Sequence, residues 1–173
     1  STGASGGRYT SSDVNWHLPI SELTTQPKLG TKVIDIAGVY WTILNVAKNT
    51  RATRWKCLSR ALEIVAGLDT FVRIQAATAS KGSSGAYVPK FFDVKSDLKA
   101  RIQEVGATVV LETHLRMTRR QYRVTIAEPV TVDNTMRLIG SDGVVYQIDA
   151  YEHVDRLDAL PVILCSRDPW PET

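Results

Sequence analysis

Along this chain short apolar runs alternate with polar positions, and from Val14 onward the runs are rich in Val, Ile, Thr, Tyr and Trp. Pro27, Gly30, Gly38 and Asn49 interrupt them. β-Branched and aromatic residues with that punctuation predict strands joined by tight turns, near residues 16–22, 32–36, 39–47 and 53–60. Residues 59–67 (SRALEIVAG) fit either a short helix ending at Gly67 or a prolonged strand, and connect the two halves of the chain. Strands at 69–77 and 95–105 then bracket residues 80–94, which hold a Gly/Ser run, Pro89 and the aromatic triplet Tyr87, Phe91 and Phe92. That composition predicts a long loop with a mobile tip and an aromatic end anchored on a barrel or a neighbour. Residues 107–112 and 121–128 alternate as half-buried strands do, with helix an alternative over 107–120. A hairpin at 135–151 and a strand at 160–166 complete the pattern.

The pattern nearly repeats. Residues 33–47 (VIDIAGVYWTILNVA) align without gaps on 138–152 (LIGSDGVVYQIDAYE), with Ile34/Ile139, Gly38/Gly143, Val39/Val144 and Ile43/Ile148 identical and Trp41 opposite Tyr146. Downstream, Cys57-Leu58-Ser59-Arg60 answers Cys165-Ser166-Arg167, and upstream residues 18–22 (LPISE) answer 124–128 (VTIAE). Each half is expected to carry a β-hairpin, with glycine supplying the positive φ of the turn. Two related β-units point to a structural or binding part more than to an enzyme.

Composition changes this picture little. The chain has 173 residues, 43% of them hydrophobic, enough for a core in one domain or two small ones. No apolar run approaches the roughly 20 residues that cross a bilayer, and the first residues lack the apolar centre of a signal peptide, so no membrane association and no export are expected. Residues 1–13 are mostly Gly, Ser and Thr and read as a flexible arm. Cys57 and Cys165 fit equivalent core positions, or else a disulfide joining the halves. A net charge of +3 is too small to draw nucleic acid to the whole molecule, so such a role needs a local patch.

Candidate chemistry is sparse. His17, His114 and His153 have no second ligand at metal spacing, and no phosphate-binding glycine loop is present, so no metal and no cofactor are expected. Ser59 or Cys57 would need His17 or His153 close by to act as a nucleophile. Asp133, Asp142, Asp155 and Asp158 read as turn residues that bond the backbone. The one notable patch places Arg116, Arg119, Arg120 and Arg123 beside Tyr122. Guanidinium groups pair with phosphates and carboxylates, so this stretch could line a DNA passage, dock on an acidic protein face, or simply be a solvated strand.

The Ile-x-x-x-Gly-Val-x-Trp/Tyr-x-Ile hairpin, the Arg101-Ile102-Gln103 strand, the Arg-rich lead into Tyr122-Arg123-Val124-Thr125-Ile126 and the closing strand at 160–165 together resemble tailed-bacteriophage head-tail joining proteins, also called head-closure or stopper proteins. The resemblance covers residues 70–167 best. It implies a mainly β fold: a small β-barrel-like module at 68–167 with an additional N-terminal β-hairpin unit at 14–67, the degenerate internal repeat, with a long loop and extended terminal arms, the C-terminal one at 168–173. It further implies a virion neck protein assembled in the host cytoplasm, not an enzyme, forming a homo-oligomeric ring of six or twelve copies. Its implied partners are a portal or adaptor protein, tail proteins and, without sequence preference, packaged DNA. Arg116, Arg119, Arg120, Arg123, Lys81 and Lys90 are then the channel or partner-contact candidates, and Tyr87, Phe91, Phe92 and Trp170 the interface anchors. In that family a long loop projects into the channel, and residues 80–94 are its candidate here. The extra N-terminal half leaves open an adaptor, a fused adaptor and stopper, or a tail-side ring. The alternative from another class is a small β-barrel that binds nucleic acid through stacking aromatics and arginines, with Tyr122 and Arg119 as its contacts.

Overall fold

The computed structural model describes residues 13–81, 86–112 and 115–167, with backbone alone at 110–112 and 115–117. The expectations for residues 1–12, the Gly/Ser tip at 82–85, His114 and the tail with Trp170 lie outside the described residues. The chain is mainly β: β1 (Asp13–Pro19), β2 (Lys32–Ile34), β3 (Tyr40–Lys48), β4 (Arg54–Arg60), a short helix α1 (Leu62–Ala66), β5 (Thr70–Lys81), β6 (Tyr87–Glu112), β7 (Leu115–Ile126), β8 (Arg137–Gly140), β9 (Val145–Glu152) and β10 (Val162–Arg167). These fall into two compact units, one running to Val65 and including Asp155–Ala159, the other comprising Ala66–Val154 and the residues from Leu160 on.

The first unit is an open antiparallel sheet in the order β1-β4-β3-β2. Its inner face carries Ile43, Trp55 and Cys57, all nearly inaccessible, with Trp16, Leu18, Val33 and Val46 packed against them. The Trp55 indole N–H donates to the Leu23 carbonyl at 2.8 Å, which ties the loop after β1 to the sheet. β1 is fixed to β4 by a two-point ion pair, with Arg60 Nε and Nη2 at 2.6 and 3.0 Å from the Asp13 carboxylate, so Asp13 opens the strand. Planar matching of a guanidinium to a carboxylate makes such a pair stronger than a single contact.

The second unit is a closed barrel in the order β10-β7-β6-β5-β8-β9. Alternate residues of every strand point inward: Val72 and Ile74, Leu98 and Ala100, Tyr122, Val124 and Ile126, Leu138, Ile148, and Ile163 with Cys165. Each fully buried Leu or Ile contributes about 1.5–3 kcal/mol, which makes this interior the main source of the barrel's stability. Both cysteines are buried free thiols, as core positions require, and no disulfide joins the halves.

The repeat is topological. β1, β2, β3 and β4 correspond to β7, β8, β9 and β10 in order and pairing. The two hairpin turns are alike: Gly38 N–H donates to Asp35 O and Asp35 N–H to Val39 O, while Gly143 N–H donates to Gly140 O and Gly140 N–H to Val144 O. Gly38 and Gly143 have φ of 81° and 80°, the left-handed conformation of a type I turn followed by a one-residue bulge. A second bulge also recurs, since β3 skips Leu44 against β4 and β9 skips Asp149 against β10. Pairing corrects the flanking alignment. Ile43 faces Ser59 and Ile148 faces Cys165, so the counterpart of Cys165 is Ser59, not Cys57. Upstream, Trp16 faces Cys57 as Val124 faces Ile163, which moves that block by two residues as well. A slip of two is one strand period, so it preserves the inward face and passes unnoticed in sequence.

Three local readings resolve. Residues 62–66 form the short helix, ended by Gly67 at φ 63°. Residues 80–81 and 87–94 are strand where a long loop is expected: Lys81 pairs with Tyr87 and each residue back to Gln75 with Asp93 has a partner, so these residues belong to the outer part of a hairpin. Residues 107–112 and 115–120 are strand, not helix, with β6 and β7 paired from Ala107 with Arg120 to Glu112 with Leu115.

Candidate functional site

β6 is 26 residues long, far beyond what the barrel uses. It bends where it leaves the barrel at either end. On one side the register against β5 shifts around Ile74, near Asp97 at φ 53°, and on the other Val105 is bulged out opposite β7. Bulges at barrel rims re-aim strands, and here they send out two ribbons. The β5–β6 ribbon comprises residues 76–81 and 87–92. The β6–β7 ribbon comprises 107–112 and 115–119.

The β5–β6 ribbon is pinned at its root by a short network. Gln75 Nε2 donates to Asp93 Oδ1 at 2.7 Å, Arg137 Nε donates to Gln75 Oε1 at 3.0 Å, and the Arg137 guanidinium lies 3.4 Å from the centre of the Phe91 ring. Phe91 is therefore anchored on its own barrel through a cation–π contact. Tyr87 is 75% exposed and Phe92 52%, and Val88 is also open to solvent. Lys81 and Lys90 are exposed on the same ribbon, at register positions opposite Tyr87 and Thr78. Strand β8 stops at Gln75, and β7 does not pair with β6 before Ala100. Both outer edges of this ribbon are thus unpaired among the described residues.

On the other side, Arg119, Arg120 and Arg123 lie on β7 and Arg116 at its outer end, the last described by backbone alone. Strand alternation puts Arg120 on the opposite face from Arg119 and Arg123, so the arginines do not form one patch. Arg120 Nη1 lies 3.4 Å from Glu104 Oε2, and Arg123 Nη2 3.9 Å from Glu152 Oε2. All four of these side chains are roughly half exposed or more, so each pair is worth little. Val105 and Val109 are exposed near them.

Tyr122 does not serve as a stacking platform. It is 9% exposed, faces the barrel interior and meets the Tyr146 ring edge to face at 5.0 Å. Burial pushes the Tyr146 hydroxyl pKa up. The nucleophile candidates separate too: Cys57 and Ser59 are buried, while His17 is exposed beside Lys56 on the other face of the same sheet. Among the described residues no group of three His, Cys, Asp or Glu side chains could hold a metal ion, and no helix is long and apolar enough to cross a membrane. Asp133 and Asp142 accept the backbone N–H groups of Thr135 and Val144, as turn acids do, and Asp158 binds Arg156. Sequence reasoning missed Asp35, whose carboxylate accepts the Ala37 and Val39 amides and the Trp41 indole N–H. The signal was an aspartate three residues before a turn glycine.

No family model matches the chain, and no curated protein does. Among solved structures it is similar to one described as "Virion of native gene transfer agent (GTA) particle", at 14% identity and a TM-score of 0.43, over 58% of this chain and 94% of that one. A likeness of that size decides nothing about this chain.

Proposed function

We propose that this chain is a non-enzymatic structural subunit of a phage-like virion neck, forming a ring of six or twelve copies between portal and tail that continues the DNA channel. The reading starts from the resemblance to head-tail joining proteins in residues 70–167. The observation that carries it is the distribution of strand edges: the barrel closes its own, and two ribbons leave it with outer edges unpaired among the described residues and with exposed Phe92, Tyr87 and Val109. Isolated two-stranded ribbons are marginal in water, and open edges invite pairing, so both ribbons suit a molecule covered by neighbours. A ring of identical subunits needs two unlike faces, which two unlike β-units provide.

Within this reading the ribbons divide the work. Strand β7, with Arg116 and Arg119 on the β6–β7 ribbon and Arg120 and Arg123 where it enters the barrel, is the element nearest DNA, where modest positive charge without base readout suffices. The β5–β6 ribbon, assigned to the channel by the resemblance, carries aromatic surface better suited to protein, with Tyr87 and Phe92 as contacts, Phe91 as its fastening and Lys81 and Lys90 at its border. Portal or adaptor and tail proteins are the partners above and below, and no cofactor takes part.

Mass photometry of the purified chain, alone and with candidate portal rings, tests the proposal. A closed ring that stacks on a portal is expected. A persistent monomer that ignores portals and binds oligonucleotides would replace it with the nucleic-acid-binding barrel.

A further inference from the structure

The internal repeat shows what the first unit lacks. In the second unit the four-strand order β8-β9-β10-β7 has its two ends joined by a hairpin, with β5 pairing β8 and β6 pairing β7. The first unit has the same four strands as β2-β3-β4-β1, and among the described residues no further hairpin joins its two ends. Among the described residues β2 pairs only with β3 and β1 only with β4. The edge strand β1 also carries Trp16, whose indole nitrogen is buried without a hydrogen-bond partner, and Ser59 Oγ on the same inner face is likewise unsatisfied. A buried donor left without a bond costs about 1–3 kcal/mol.

The β5–β6 ribbon has the complementary shape. It is a hairpin with two free edges, and one of its faces presents Val88 and Phe92, each about half exposed, beside the small residues Ala76, Thr78 and Ser80. That face is uncharged apart from Lys90, and backbone approach along residues 76–80 is unobstructed by large or charged side chains.

We infer that the ribbon of one copy completes the open sheet of the next, with residues 87–92 against β1 and 76–81 against β2, repeating in trans the closure that β5 and β6 perform within the barrel. The inference rests on the ring reading and specifies its contact. Donor and acceptor are different elements of the chain, so the contact is heterologous and propagates around a ring. Main-chain pairing supplies affinity and the Val88 and Phe92 side chains supply fit.

The test uses two full-length single variants, His17→Cys on the outer face of β1 and Pro89→Cys on the ribbon face opposite Val88 and Phe92, mixed and treated with a short bis-maleimide. The native thiols are buried and remain silent. A covalent dimer in the mixture, absent from either variant alone, is expected, as is loss of the ring in Val88→Asp/Phe92→Asp but not in Ile64→Asp, whose side chain is exposed on α1. Both charged variants should keep the wild-type circular dichroism, because the substituted residues are exposed outside the barrel. A ring that survives Val88→Asp/Phe92→Asp and yields no mixed dimer would overturn this contact and leave the ring reading standing. A wild-type chain that stays monomeric with and without portal would overturn both.

Discussion

Asp35 sits in the turn between β2 and β3, where Oδ1 accepts the amides of Ala37 and Val39 at 2.8 and 2.9 Å and Oδ2 the Trp41 indole N–H at 2.9 Å. The Trp41 bond, followed by those backbone amides, holds its carboxyl below the ordinary value of 3.8. A depressed pKa means that this contribution to stability is complete above the ordinary carboxylate range and is lost as pH falls through the lowered value. The Trp41 indole N–H resonance should therefore move on acidification with a midpoint below 3.8, and Asp35→Asn should abolish that titration. A resonance that stays fixed until the chain unfolds would show the bond to be unimportant. The two thiols give a second expectation at this scale. Burial raises the pKa of Cys57 and pushes that of Cys165 up to about 12, so neither is a thiolate at neutral pH. Both should resist a thiol reagent in the native protein and react promptly in denaturant. Fast native reaction at Cys165 would mean that the barrel opens far more readily than its packing implies.

At the scale of elements, the two hairpin turns provide a matched pair. Gly38 and Gly143 share a positive φ, and a Cβ added at either would meet nothing within 4 Å. Alanine there costs only backbone strain, about 1 kcal/mol at each site. Denaturant midpoints of Gly38→Ala and Gly143→Ala should give similar losses, and a cost at only one would show that the turns are not equivalent. These turns were legible in the sequence because alternation, glycine position and repetition all pointed to them. The ribbons were not. The run of Gly, Ser and Pro89 within 82–89 has loop composition, and a hairpin outside the barrel carries no buried stripe to offset it. At 107–109 and 118–120, where the side chains are described, both faces of the strands are largely solvated, so the apolar alternation that marks a strand is faint, and pairing between β6 and β7 settles the conformation. The arginines were found from their spacing, whereas their division between faces and their pairing with Glu104 and Glu152 depend on register, which sequence does not carry.

For the whole molecule, the proposed channel and the competing nucleic-acid barrel differ in what they ask of charge. A net charge of +3 gives each copy little attraction for DNA, and Arg120 and Arg123 already face carboxylates. Any substantial affinity must then come from the ring, which multiplies a weak contact by its copy number. Removing one arginine–phosphate pairing reduces the salt dependence of duplex binding by about 0.9 in log–log slope. The Arg119→Gln/Arg120→Gln/Arg123→Gln variant should therefore still assemble, bind duplex DNA more weakly than the wild-type ring, and show a slope shallower by about 1–3 per engaged subunit. Binding should be indifferent to sequence, because the proposed contacts pair guanidinium groups with phosphates, which carry no base identity. The competing barrel requires tight single-strand binding by a monomer through stacked aromatics, and Tyr122, the aromatic nearest the arginines, is enclosed against Tyr146 in the core. Fluorescence anisotropy with duplex and single-stranded probes across a salt series separates the two. Preference of the monomer for single strands would require another stacking surface and would end the channel assignment of the arginine ribbon.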